Sequence, residues 1–197
     1  AQLGPIDPSE PKESVVARML NLLIEAKTKG TELVVFPELC LTTFFPRYYI
    51  TDPANLDTYY ESEVPISLMS DMFELVRKEK IIISFGYAER DNGIPFNTSV
   101  YVDSSGNIVG KYRKIHLPGH YEYEPDRPFQ HLEKRYFTKG NLGFPTFDTT
   151  LGRLGMCICN DRRWPETYRV LALQGCEVVT LGYNTPRHYF CDISCIM

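Results

Sequence analysis

With 197 residues, 43% of them hydrophobic, the chain is long enough to bury a core of its own. A formal net charge of −4 and an isoelectric point near 5.6 argue against a general nucleic-acid binder, which needs a basic face. No apolar run reaches the length of a membrane span and no signal-peptide pattern opens the chain. The six dispersed cysteines read as reduced thiols of a cytoplasmic protein rather than as disulfide staples.

The opening AQLGPI reads as the tail of a strand. In PKESVVARMLNLLIEAKTKG, apolar residues from Val15 to Ala26 recur at helical spacing, with Pro11 near the first turn and Gly30 as the stop, so a helix is expected. A short apolar strand over 33–36 runs into Pro37-Glu38. Beyond the aromatic loop TTFFPRYY, a second helix covers about 66–80 and the strand IIISFGYA follows. NTSVYVD and NIVGKYRK read as a hairpin turning at Ser104-Ser105-Gly106. The Pro- and aromatic-rich segment 116–145 reads as a functional loop rather than a linker. The strand LGMCIC, a helix over 165–174 stopped by Gly175 and the strand EVVTLGYN complete one α/β domain.

Three polar residues each end an apolar strand: Glu38, Lys114 and Cys159. Ligands of open α/β sheets bind at strand C-termini, so an acid, an amine and a thiol gathered there suit nucleophilic chemistry. A thiol is mostly protonated at neutral pH and needs a base, a role open to Glu38, while Lys114 can steady an oxyanion. Taken singly, each has a plainer reading: a solvated loop Glu, a charged strand edge, a core Cys. Cys40, Cys157 and Cys176 are read as inert core. Strand alternation places Cys157 and Cys159 on one face, and the polar residues and helix start after Cys159 favour it as nucleophile. A zinc or redox role for Cys157-x-Cys159 lacks the second ligand pair or the CxxC spacing, and a Cys191–Cys195 pair reads as an accident of the terminal segment.

FPELCLTTFFPR, GKYRKIHLPGH, PFQHLEKRYF and CNDRRWPETYRV together resemble the carbon–nitrogen hydrolase (nitrilase-like) superfamily, and within it the N-carbamoyl-D-amino acid amidohydrolases. The resemblance runs from about residue 2 to residue 188. It implies an α-β-β-α sandwich, here incomplete at the C-terminus, with a hydrolase domain over 1–188 and an unrelated segment over 189–197. It implies a Glu38–Lys114–Cys159 triad organised by Glu133. His116, His131, Asn160, Arg162, Arg163, Asn184 and Thr185 are implied as substrate contacts, the two arginines for a carboxylate and the Asn160 backbone for the oxyanion. Plainer readings stand beside these: structural histidines, an arginine salt-bridged within its loop, Glu133 paired with Lys134 or Arg135, and Tyr121, Tyr123 and Trp164 as packing.

The reaction so implied is hydrolysis of N-carbamoyl-D-amino acids through a Cys159 acyl-enzyme, without metal or cofactor. Its partner is a small-molecule substrate, with no nucleic acid or membrane, in a homo-oligomer. Two alternatives stay open: an inactive product that only associates with a full-length homologue, and an amidase of the superfamily acting on another carboxylated amide.

Overall fold

The computed structural model describes residues 1–184, so Thr185, Cys191, Cys195 and the boundary expected at residue 188 lie outside the described residues. Helix α1 (Lys12–Thr28) leads to strand β1 (Leu33–Val35), a short helix α2 (Pro53–Asp57), strand β2 (Tyr60–Glu61) and helix α3 (Ser70–Glu79). Strands β3 (Ile82–Asp91), β4 (Ile94–Val102) and β5 (Ile108–Arg113) follow. After a one-turn helix α4 (Glu133–Tyr136) come β6 (Thr146–Thr149), β7 (Gly152–Ile158), helix α5 (Pro165–Leu173) and β8 (Val178–Gly182).

The strands form two sheets. In the first the order is β1-β3-β4-β5, with β2 alongside β3, and in the second it is β6-β7-β8. β1 is parallel to β3, β4 is antiparallel to both β3 and β5, and β7 is antiparallel to β6 and parallel to β8. Strand alternation then assigns the layers. Ile83, Phe85, Val100 and Val102 pack against Val15, Met19 and Leu23 of α1 and Met72, Phe73 and Val76 of α3. The intervening Tyr101, with Tyr112 of β5, faces Leu154, Met156 and Ile158 of β7. On the far side of β7, a Cβ at Gly155 would meet Leu171 of α5 at 2.9 Å. Helices, sheet, sheet, helix: the chain is an α-β-β-α sandwich.

The long elements follow the sequence pattern closely. Helix α1 starts after Pro11 and is followed by Gly30 at φ 74°, and α3 ends on Lys80 in the left-handed region. Four short pieces escape periodicity because they are too brief to show any: α2, β2, α4 and β6. β3 and β4 also run longer than expected. Asn92 and Gly93, both at positive φ, turn them directly into each other as a tight hairpin.

The opening residues are not a strand. Gly4 at φ 78° and Pro5, which has no N–H to donate, interrupt any ladder there; the Ala1 ammonium instead reaches Val35 O at 2.6 Å. Among the described residues no helix is long and apolar enough to cross a membrane.

Candidate active site

Glu38, Lys114, Cys159 and Asn184 follow the C-terminal ends of β1, β5, β7 and β8, so both sheets deliver residues to one end of the sandwich. The turn carrying Glu38 is wedged between them. Gly86 of β3 lies so close that a Cβ would stand 2.9 Å from Glu38 Cα, and one on Gly182 of β8 would stand 3.2 Å from Glu38 N. Two hydrogen bonds tie the same turn to β3: Cys40 N donates to Gly86 O at 2.9 Å and Gly86 N to Pro37 O at 3.2 Å.

At the centre lies Lys114, fully buried, whose ammonium donates to Glu38 Oε1 and to Glu133 Oε2, each at 2.6 Å. Neither carboxylate is exposed. The Asn97 amide donates to Glu38 Oε1 at 2.8 Å, the Asn184 backbone N–H to Glu38 Oε2 at 3.1 Å, and His131 Nε2 approaches Glu133 Oε1 at 3.0 Å. The two acids titrate in opposite directions. Burial, reinforced by the charge of Glu133, raises the Glu38 carboxyl above its ordinary range despite Lys114. Burial acts on Glu133 too, but Lys114 and the His131 hydrogen bond reverse it and hold that carboxyl low. Lys114 keeps its proton because the two acids outweigh the cost of its burial. Glu133 is therefore the fixed charge and Glu38 the group able to carry a proton.

Cys159 is 8% exposed and adopts φ 45° at the first residue of a 3-10 turn, Cys159–Arg163. That left-handed backbone corrects the expectation of a shared face: Cys157 stays on the α5 side, beside Tyr168, while Cys159 is turned inward. Burial and the charge of Glu38 push the Cys159 thiol up to about 12, with Lys114 pulling it back. Buried Cys40 and Cys157 are also pushed up to about 12, so what distinguishes Cys159 is its neighbours. Its Sγ lies 4.0 Å from Asn184 O and 3.6 Å from Arg162 Nη1. Cys176, expected in the core, is only partly buried, and its thiol donates to Val178 O at 3.2 Å.

Most of the other expected contacts gather around this centre. Arg162 donates to Cys159 O at 2.6 Å and lies over the Tyr183 ring, whereas Arg163 is exposed. The Asn160 amide donates to His116 O at 3.0 Å. The His116 ring stacks on Trp164 with centroids 4.8 Å apart, so Trp164 packs as expected but at the surface rather than in the core. Asn184 meets Glu38 and Cys159 through its backbone N–H and C=O. Tyr121 and Tyr123 are exposed, and Tyr123 stacks on Tyr49 instead of packing inside.

Two residues escaped the sequence reading. Asn97 is a buried amide in the middle of a strand, the kind of polar interruption that signals a partner. Asp161 is fully buried beside the conspicuous Asn and Arg residues of its own turn. It accepts from His116 N at 2.9 Å, His116 Nδ1 at 2.8 Å, Tyr112 OH at 2.8 Å and Ile158 N at 3.1 Å.

A thiol set beside a carboxylate–ammonium–carboxylate cluster, at the open end of an α-β-β-α sandwich, defines a class of nucleophilic hydrolases. The chain belongs to the carbon–nitrogen hydrolase family, whose model matches residues 1–191. It is 36% identical over 171 residues to a nitrilase of Pyrococcus abyssi, covering 86% of this chain and 58% of that protein. It is 29% identical over 167 residues to an N-carbamoylputrescine amidase of Arabidopsis thaliana, covering 83% of this chain and 51% of that protein. The crystal structure of a carbon–nitrogen hydrolase from Helicobacter pylori superposes with a TM-score of 0.77 at 27% identity, over 96% of this chain and 64% of the other. The chain thus spans little more than half the length of the curated relatives it matches.

Proposed function

We propose that this chain carries the active site of a cysteine-dependent hydrolase of N-carbamoyl-D-amino acids, yielding the amino acid, ammonia and carbon dioxide. The observation that carries the reading is the buried Glu38–Lys114–Glu133 cluster, its two ion pairs each at 2.6 Å, with the Cys159 thiol close enough to feel both carboxyls.

In this scheme the Cys159 proton passes to Glu38 as Sγ attacks the carbamoyl carbon. The resulting oxyanion is held by Lys114 Nζ and the Asn160 backbone N–H. Glu38 returns the proton to the departing nitrogen as the C–N bond breaks, leaving a thioester. Water then gives a proton to Glu38 and its oxygen to the acyl carbon, Cys159 leaves with that proton, and the released carbamic acid splits into carbon dioxide and the second amine. A thiol pushed up to about 12 is a weak nucleophile until its proton moves, which makes the transfer to Glu38 part of the attack.

Arg162, beside the thiol, suits a substrate whose far end is a carboxylate, since a guanidinium offers paired donors to a planar anion. Hydrolysis of a carbamoyl group is named in the plant relative. The D configuration and a homo-oligomeric assembly rest on the sequence resemblance alone.

The test is ammonia release from N-carbamoyl-D-phenylalanine, with the L isomer, N-carbamoylputrescine and a carboxylated primary amide in parallel. Turnover of the D substrate above the others, abolished in Cys159→Ala, is the expected result. Preference for the simple amide would replace the carbamoyl assignment, and silence from folded protein on all four would overturn the proposal.

A further inference from the structure

Asp161 has no part in the proton transfers above, yet its buried carboxylate accepts four hydrogen bonds beside them. Its four donors come from three places. Tyr112 is in β5 of the first sheet, His116 lies just beyond that strand, and Ile158 ends β7 of the second sheet. Tyr112 and His116 bracket Lys114. Ile158 and Asp161 bracket Cys159. One buried carboxylate therefore spans the gap between the sheets at the point where each delivers its reactive residue, and closes the short turn that keeps Cys159 at φ 45°. Such a backbone persists only where its surroundings over-determine it.

We infer that Asp161 is a positioning residue: it sets the placement of Cys159 against Lys114 and Glu38, and holds His116 as its Nδ1–H tautomer with Nε2 left for the substrate side. An ionised carboxylate only accepts, so the ring nitrogen facing it must carry the proton. The inference rests on the hydrolase reading, but its effect on the Cys159 thiol can be read without any substrate.

Asp161→Asn is the decisive variant because it keeps the shape and removes two acceptor positions. An amide satisfies the His116 side or the Tyr112 and Ile158 side. Whichever way it turns, one backbone N–H is left facing an NH2 group. The measurement is the rate of Cys159 alkylation by iodoacetamide, followed by peptide mass spectrometry so that the other cysteines do not contribute. Turnover of the best substrate is recorded beside it, per folded molecule.

The expected result is a single cooperative melt, alkylation slowed about tenfold or more, and kcat reduced by a similar factor with KM nearly unchanged, because misplacement of about 1 Å is enough. A purely structural role would lower the melting temperature and leave the rate per folded molecule intact; that outcome overturns the inference. If Asp161→Asn does not fold, Tyr112→Phe removes one donor only and decides alone: slowed alkylation supports the inference, a wild-type rate ends it. Should no substrate turn over even in the wild type, the hydrolase reading fails while the alkylation comparison still reports on Asp161.

Discussion

Lys114 meets two carboxyls at the same distance of 2.6 Å, and they are not equivalent. Glu133 has a second donor in His131 and stays low; Glu38, equally buried and repelled by Glu133, is raised. The negative charge of Glu133 is thus part of what makes Glu38 basic enough to take a thiol proton. Removing that charge in Glu133→Gln leaves Lys114 with one ionised partner, so the Glu38 carboxyl falls. A weaker base accepts the Cys159 proton less readily, and the alkylation rate at neutral pH drops by about one to two orders of magnitude. Its acid limb moves to lower pH, because Glu38 ionises earlier in the titration. A pH series of Cys159 alkylation checks both. An acid limb that stays in place, or moves up, would show that Glu133 does not set the basicity of Glu38.

At the scale of elements, the close approach of two sheets to one turn makes small residues a requirement. Gly86 sits in β3 at an ordinary φ, so only the space it leaves matters: its missing Cβ is replaced by the backbone of Glu38 and Leu39 at 2.9 Å. In Gly86→Ala the turn must shift, since backbone atoms cannot rotate aside. Overpacking of this kind costs about 1–3 kcal/mol, and the displaced Glu38 slows Cys159 alkylation. Thermal melts and the alkylation assay test the two parts, and wild-type behaviour in both would refute the wedge. None of this was readable in IIISFGYA, where the glycine looks like any other in a strand. The long helices, the hairpin ending at Arg113 and the strand-end placement of Glu38, Lys114 and Cys159 were legible, because periodicity and punctuation record which face of an element is buried. Asp161 and the inward turn of Cys159 were not. Four hydrogen bonds from residues 3 to 49 positions away, and one left-handed φ, leave no periodic trace.

The molecule as a whole joins its sheets and braces them by different means. Between the sheets, beyond the site, the ties are neutral: Tyr101 OH donates to Gly155 O at 2.8 Å and shares a hydrogen bond with Thr180. On the opposite face of the first sheet the bracing is ionic. Glu89, 2% exposed, accepts from Arg113 Nε at 2.7 Å, Arg113 Nη2 at 3.0 Å, Lys111 at 2.6 Å and Thr98 at 2.6 Å, binding β3, β4 and β5 together next to Lys114. Burial alone would raise this carboxyl, but Arg113, Lys111 and Thr98 outweigh it and bring it down from 4.5 to about 2. A carboxyl depressed by folding stabilises the fold above its unfolded value and gives that stability up as pH falls toward its folded one. The window for Glu89 therefore runs from about pH 4.5 down to about 2. With Lys111 partly exposed to solvent, its contribution at neutral pH is on the order of 2 kcal/mol rather than the full shift. Glu89→Gln should lower stability by that amount at pH 7 and by progressively less through the acid range, converging on the wild type near pH 2, where the native residue is itself half protonated. Urea melts at pH 7, 4 and 2.5 measure the difference. An equal loss at all three would place the contribution of Glu89 in its shape rather than its charge, and would leave the ionic brace beside Lys114 without energetic weight.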